Sequence, residues 1–116
     1  MWNMKTVKTF TAIIYVGFKE MDTGIVHTIG EARDICQRYV DEVGLCVTVT
    51  PTEYIYTNGN EPGCAIGLIN YPRFPAEEAD IAIKSRELAR LLMDAFRQNK
   101  VSVVMPDRTI MLEVQP

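Results

Sequence analysis

The chain has 116 residues, 47% of them apolar and 23% charged, with a net charge of −3. That length fits a single domain, residues 1–116, able to bury about two-thirds of its unfolded surface. The acidic balance argues against duplex nucleic acid held on a broad basic face, and no run approaches the roughly 18 apolar residues of a membrane span.

The start, Met1-Trp2-Asn3-Met4-Lys5, is interrupted at once by Lys5, Thr6 and Lys8, which does not read as a secretory leader; a cytoplasmic location is expected. Thr9 to Phe18 alternates and reads as the first strand. Its second face still carries Ile13 and Tyr15, so a helix or another subunit is expected to cover it. Thr28-Ile29-Gly30-Glu31 has the spacing of a capping box and opens a helix whose apolar positions run from Ala32 to Val43, with Gly44 placed to end it. Leu45 to Thr50 and Glu53 to Thr57 alternate again around Pro51, which marks a bulge, an edge or a break. Asn58 to Gly63 is dense in turn formers and predicts a hairpin loop longer than two residues. Cys64 to Ile69 returns as a strand. Gly63 and Gly67 either let a ligand or another backbone approach or simply pack weakly.

A second helix is predicted from about Ala76 to Asn99. Ile81, Leu88, Leu92 and Phe96 form its core stripe, and Arg86, Arg90 and Arg97 lie on the far side, either self-paired in solvent or facing a partner. Val101 to Met105 and Ile110 to Val114 complete the set. The fold class is α+β, a mainly antiparallel sheet of about five strands packed with two helices in the order β-α-β-β-α-β-β.

Asn70-Tyr71-Pro72-Arg73-Phe74-Pro75 concentrates the most unusual chemistry. Two prolines fix φ and push the residues before them toward extended geometry, so Arg73 and Phe74 are held with little freedom. An amide, two rings and a guanidinium in six residues suit a ligand with bases and phosphates. The same pattern also arises in a plain strand-to-helix connection, where Phe74 staples the first turn. Arg108, at a hairpin tip, can reach a ligand or be plain surface. Cys36, Cys46 and Cys64 form no metal or disulfide spacing, and His27, the only histidine, has no second histidine or acidic cluster beside it in sequence. No nucleophile and base, carboxylate pair, P-loop or metal cluster has a recognisable spacing, although Glu53 and Glu61 could meet in space. A module binding a small anion is the leading physical reading, with an oligomeric scaffold or protein inhibitor second.

Thr50 to Gly63, followed by Gly67 to Pro75, resembles small phage-encoded proteins of the anti-Thoeris sponge family. The resemblance implies a non-catalytic protein that sequesters a cyclic ADP-ribose signal made by a bacterial TIR-domain enzyme, acting in the host cytoplasm with no cofactor and no metal. It implies dimers, or rings of dimers that also hold cyclic oligonucleotides, with pockets at the subunit junction. Phe74 or Tyr71 would stack on adenine, Asn70 would bond a base or ribose edge, and Arg73 and Arg108 would pair with the diphosphate. Replacing both arginines by alanine would then abolish ligand binding.

Overall fold

The computed structural model describes residues 1–115 and forms one five-stranded antiparallel sheet with two helices against one of its faces. The strands are β1 (Thr11–Gly17), β2 (Val47–Tyr56), β3 (Gly59–Ile69), β4 (Lys100–Val104) and β5 (Thr109–Glu113); the helices are α1 (Ile29–Val43) and α2 (Glu78–Ala95). Their order along the chain is the expected one, and the sheet runs β2-β3-β1-β4-β5. The first strand is thus central, which fits a segment apolar on both faces.

Alternation along each strand divides the sheet. Ala12, Ile14, Val16, Cys64, Ile66, Leu68, Val101 and Val103 point to the helices and are buried with Leu88, Leu92 and Phe96. Their registry partners one residue away, Ile13, Tyr15, Ala65, Gly67 and Ser102, face the side that no helix covers.

The helix ends differ from one another in chemistry. Thr28 accepts from the Glu31 backbone N–H at 3.2 Å, and Gly44, at φ 73°, donates to Val40 O, as the capping pattern and the glycine predict. α2 stops at Ala95 rather than near Asn99. Arg97 takes φ 51°, so Gln98 N–H reaches Met93 O at 3.0 Å and Arg97 N–H reaches Asp94 O at 3.3 Å. This is a Schellman closure with arginine where glycine is usual, so the sequence carries no glycine to announce it.

The β2–β3 connection is shorter than its composition suggests. Tyr56 pairs with Gly59, leaving only Thr57 and Asn58 in the turn, with Asn58 at φ 64°. Asn60 to Gly63 belongs to the ladder, and Pro51 is accommodated because β2 is an edge strand. β1 pairs with β3 only as far as Gly17 and Gly63, so residues 53–61 pair only within their own hairpin, as a projecting arm. With this arm the molecule measures 55 × 28 × 24 Å, and its radius of gyration of 15.2 Å exceeds the about 13 Å of a compact chain this long.

Candidate functional site

The proline connector folds as a turn. Phe74 N–H donates to Tyr71 O at 2.9 Å, and the Arg73 guanidinium carbon lies 5.7 Å from the centre of the Phe74 ring. Asn70 is spent on the scaffold: its amide donates to Lys8 O at 2.9 Å and its oxygen accepts from Ala76 N–H at 2.9 Å, tying the amino-terminal segment to the approach of α2. Phe74 is 54% exposed. Arg108 sits in the β4–β5 turn, paired with Asp107 at 3.2 Å, beside a cavity of about 550 Å³ shared with Lys8, Phe10 and Glu78. Arg73 lines neither that cavity nor the others described below.

A different convergence lies on the helix-free face where the arm leaves the sheet. Gly17 and Gly63 are register partners there, and neither carries a side chain, so they make a hollow in the surface. The Tyr54 ring lies over Gly63, whose added methyl would also meet Val16 O at 2.5 Å. Glu61 folds over Gly17: a methyl on Gly17 would overlap its Oε1 and sit 3.1 Å from Gln98 Oε1. Ser102 and Lys100 of β4 close the far side, and Tyr15 stands edge-on to Tyr54 with ring centres 6.4 Å apart. The recess has a volume of about 230 Å³.

Its electrostatics follow from that placement. Burial pushes the Glu61 carboxyl above its ordinary value, opposed by the charge of Lys19. Among the described residues no side chain forms a hydrogen bond or ion pair with Glu61. Burial also raises the Tyr54 hydroxyl, which stays protonated and donates to Cys64 O at 2.7 Å, fixing the ring. Glu53 pairs with Pro62 and points to the opposite face, so the two carboxylates of the arm do not meet. The larger groove over α2, about 840 Å³ and lined by Ile83, Leu91, Arg86 and Arg90, differs in kind: Arg90 pairs with Asp94 and Glu87 accepts from the Tyr39 hydroxyl.

On the helix-covered side, His27 is clamped between two carboxylates. Its Nε2 lies 2.5 Å from Glu20 Oε2, its Nδ1 2.6 Å from Glu31 Oε2, and its ring stacks on Phe96 at 4.8 Å. Glu20 is buried and also takes the Thr23 hydroxyl at 3.0 Å and Arg97 Nε at 3.4 Å. Burial pulls the His27 pKa down, but Glu31 and Glu20 outweigh it and the net shift is upward. Sequence reading missed this cluster because Glu20 lies just past the end of β1 and meets His27 only when the 18–27 loop closes through the Lys19 and Val26 bridge. The recess was missed for a related reason. Glu61 and Gln98 are 37 positions apart, and only the Gly17 to Gly63 pairing puts both over one hollow.

No protein-family model matches the sequence, and no curated protein matches it. The fold has solved counterparts. A phage SAM lyase in the apo state is 18% identical, with a TM-score of 0.74 over 92% of this chain and 90% of that one. A phage SAM lyase in complex with S-methyl-5′-thioadenosine is 17% identical, with a TM-score of 0.74 over 98% of this chain and 96% of that one. These likenesses correct the expectation of a non-catalytic sponge for cyclic ADP-ribose: the solved proteins that share the architecture are those of an enzyme, and nothing matched is a sequestering protein. They show that this chain has the phage SAM lyase fold.

Proposed function

We propose that the chain is an enzyme that cleaves S-adenosylmethionine, working in the recess bounded by Tyr15, Tyr54, Glu61 and Gln98. The observation that carries this reading is a fold shared over nearly the whole of both chains with a phage SAM lyase, one structure of which holds S-methyl-5′-thioadenosine. The recess supports it independently, since two tyrosine rings and a partly buried carboxylate without a hydrogen-bond partner suit a nucleoside joined to a cationic amino-acid arm.

S-methyl-5′-thioadenosine is S-adenosylmethionine without its four-carbon amino-acid arm. Releasing it breaks the bond between sulfur and the γ-carbon, and both electrons go to sulfur, so the sulfonium becomes a neutral thioether. In a lyase no water enters. The γ-carbon is satisfied from within the arm, by its own carboxylate oxygen closing a ring or by transfer of a β-proton to solvent while the C–H electron pair forms an alkene. Either way positive charge disperses as the bond breaks, which a site shielded from water, as under a second copy of the chain, favours over bulk solvent. The protein's part is to hold the nucleoside against the rings and to keep the arm folded beside it.

A cleft of about 230 Å³ is smaller than the roughly 300–1,000 Å³ that encloses a ligand of this size. The same face leaves Tyr15, Ile69 and Met111 exposed, and the arm exposes Ile55 and Tyr56. A lone hairpin of this kind is marginally stable in water. Covering by a second copy would complete the cleft and bury both features, so the active form is a homo-oligomer in this reading.

Incubating the purified protein with S-adenosylmethionine and separating the products by chromatography tests the reading. S-methyl-5′-thioadenosine should accumulate, together with a lactone or an alkene that tells the two routes apart. Intact S-adenosylmethionine would refute it. Light scattering should give a mass of at least two chains at micromolar concentration, and a monomer would contradict the covered cleft.

A further inference from the structure

We infer that Gln98 makes the recess selective for a ligand bearing an ammonium group, acting with Glu61 as a converging pair of hydrogen-bond acceptors. This rests on the reading of the recess as the substrate site and assigns the contact that recognises the amino-acid arm.

The orientation of Gln98 is determined by its surroundings. It follows Arg97 in the closure of α2 and is 8% exposed. Its Nε2 donates to Lys19 O at 2.8 Å and to Phe96 O at 3.1 Å, which uses both amide hydrogens. Rotating the amide by half a turn would set its oxygen against those two carbonyl oxygens. The oxygen is therefore held on the other side, above Gly17, where Glu61 Oε1 also arrives. A carboxylate and an amide oxygen aimed at one point are both acceptors and repel one another. Among the described residues nothing donates to either, so the pair is completed by a group that brings two hydrogens and, for Glu61, a positive charge.

S-adenosylmethionine carries two positive centres, and only one of them suits. Its sulfonium has no hydrogen to donate to Gln98. Binding it to a carboxylate would also favour the charged ground state over a transition state in which that charge disperses. The α-ammonium donates to both oxygens and keeps its charge throughout the reaction. S-methyl-5′-thioadenosine lacks the ammonium, so cleavage removes this contact from the nucleoside and lets it leave.

The test compares two nucleosides by titration calorimetry: S-adenosylhomocysteine, which has the ammonium but a neutral sulfur, and S-methyl-5′-thioadenosine, which has neither charge. Gln98→Met should weaken S-adenosylhomocysteine about tenfold and leave S-methyl-5′-thioadenosine within about twofold. Unchanged binding of the second ligand also shows that the variant is folded. Gly17→Ala puts a methyl group where the two oxygens converge without removing either, and should give the same selective loss; it decides the matter alone if Gln98→Met does not fold. Equal weakening of both ligands, or of neither, overturns the assignment while leaving the proposed activity standing. Weakening of S-adenosylmethionine with S-adenosylhomocysteine unaffected would overturn it in favour of the sulfonium. A wild-type protein that binds none of the three ligands and forms no product would overturn the assignment together with the proposed function beneath it.

Discussion

The two faces of the sheet are built from alternate residues of the same strands, yet they follow opposite rules. Toward the helices, Ile14, Ile66, Leu68 and Val103 show no exposure and fit an interior without gaps. On the other face the same strands present Tyr15, Ala65, Gly63 and Gly17, small residues in the middle with rings and a carboxylate leaning over them. Neighbouring positions along one strand therefore divide between holding the fold and shaping a hollow. A face poor in side chains contributes little to stability, which leaves its few large groups free to be selected for chemistry.

Substitution should separate the faces cleanly. Ile66→Ala, on the covered side, should cost about 4 kcal/mol in urea unfolding, whereas Tyr15→Ala should cost under about 1 kcal/mol and reduce nucleoside binding instead. Comparable losses of stability from the two would show that the covering copy packs directly on Tyr15 and leaves no cleft there. His27→Ala should cost about 3 kcal/mol, because the buried Glu20 carboxylate loses its closest partner.

The same clamp sets a pH dependence with a defined sign. His27 has a raised pKa in the folded state, so its contribution is complete below the unfolded value of 6.5 and disappears as pH rises through the folded value. Glu31 shifts the other way, held low by the hydrogen bond from His27, so its contribution is present above 4.5 and is lost as pH falls through its folded value. Melting temperature should therefore peak between these values and decline toward pH 9, and His27→Gln should flatten the alkaline decline. Arg97→Gly is expected to move the melting temperature by no more than about 2 °C. Relief of a left-handed arginine, about 1 kcal/mol, is set against the solvent-screened pair with Asp22 at 3.1 Å and the contact at 3.4 Å with Glu20, which keeps His27 and Thr23 as partners. The smallest effect belongs to the far end of the molecule. Arg73→Ala combined with Arg108→Ala should leave both stability and nucleoside binding unchanged, since neither side chain lines the recess; loss of binding would extend the site to the proline connector.

The contrast also explains what could be read without a structure. The covered face was legible because burial writes itself as alternation: Phe10, Ala12, Ile14 and Val16 announce a strand, and Ile81, Leu88 and Leu92 announce the helix that covers it. Thr28 and Gly44 gave the ends of α1 for the same local reason. The left-handed turn at Arg97 was not legible, because its conformation is fixed by what Gln98 and Glu20 bind rather than by the residue itself. The proline connector drew attention through its composition, while Asn70 within it serves the backbone. The recess depends on the absence of side chains at Gly17 and Gly63, and on register that joins segments far apart in sequence. The resemblance to sponge proteins, carried by Thr50 to Gly63 and Gly67 to Pro75, has no family match behind it, and the solved counterparts of the fold are phage SAM lyases.

The most direct measurement is the rate at which purified protein converts S-adenosylmethionine to S-methyl-5′-thioadenosine, with wild type compared against Glu61→Gln at equal folded fraction. The open-face account predicts product from wild type and, at S-adenosylmethionine concentrations well below KM, a rate lowered by about 100-fold in the variant, which keeps the shape of the side chain and removes the charge that holds the ammonium. Equal rates in the two proteins, or no product from wild type, would contradict it.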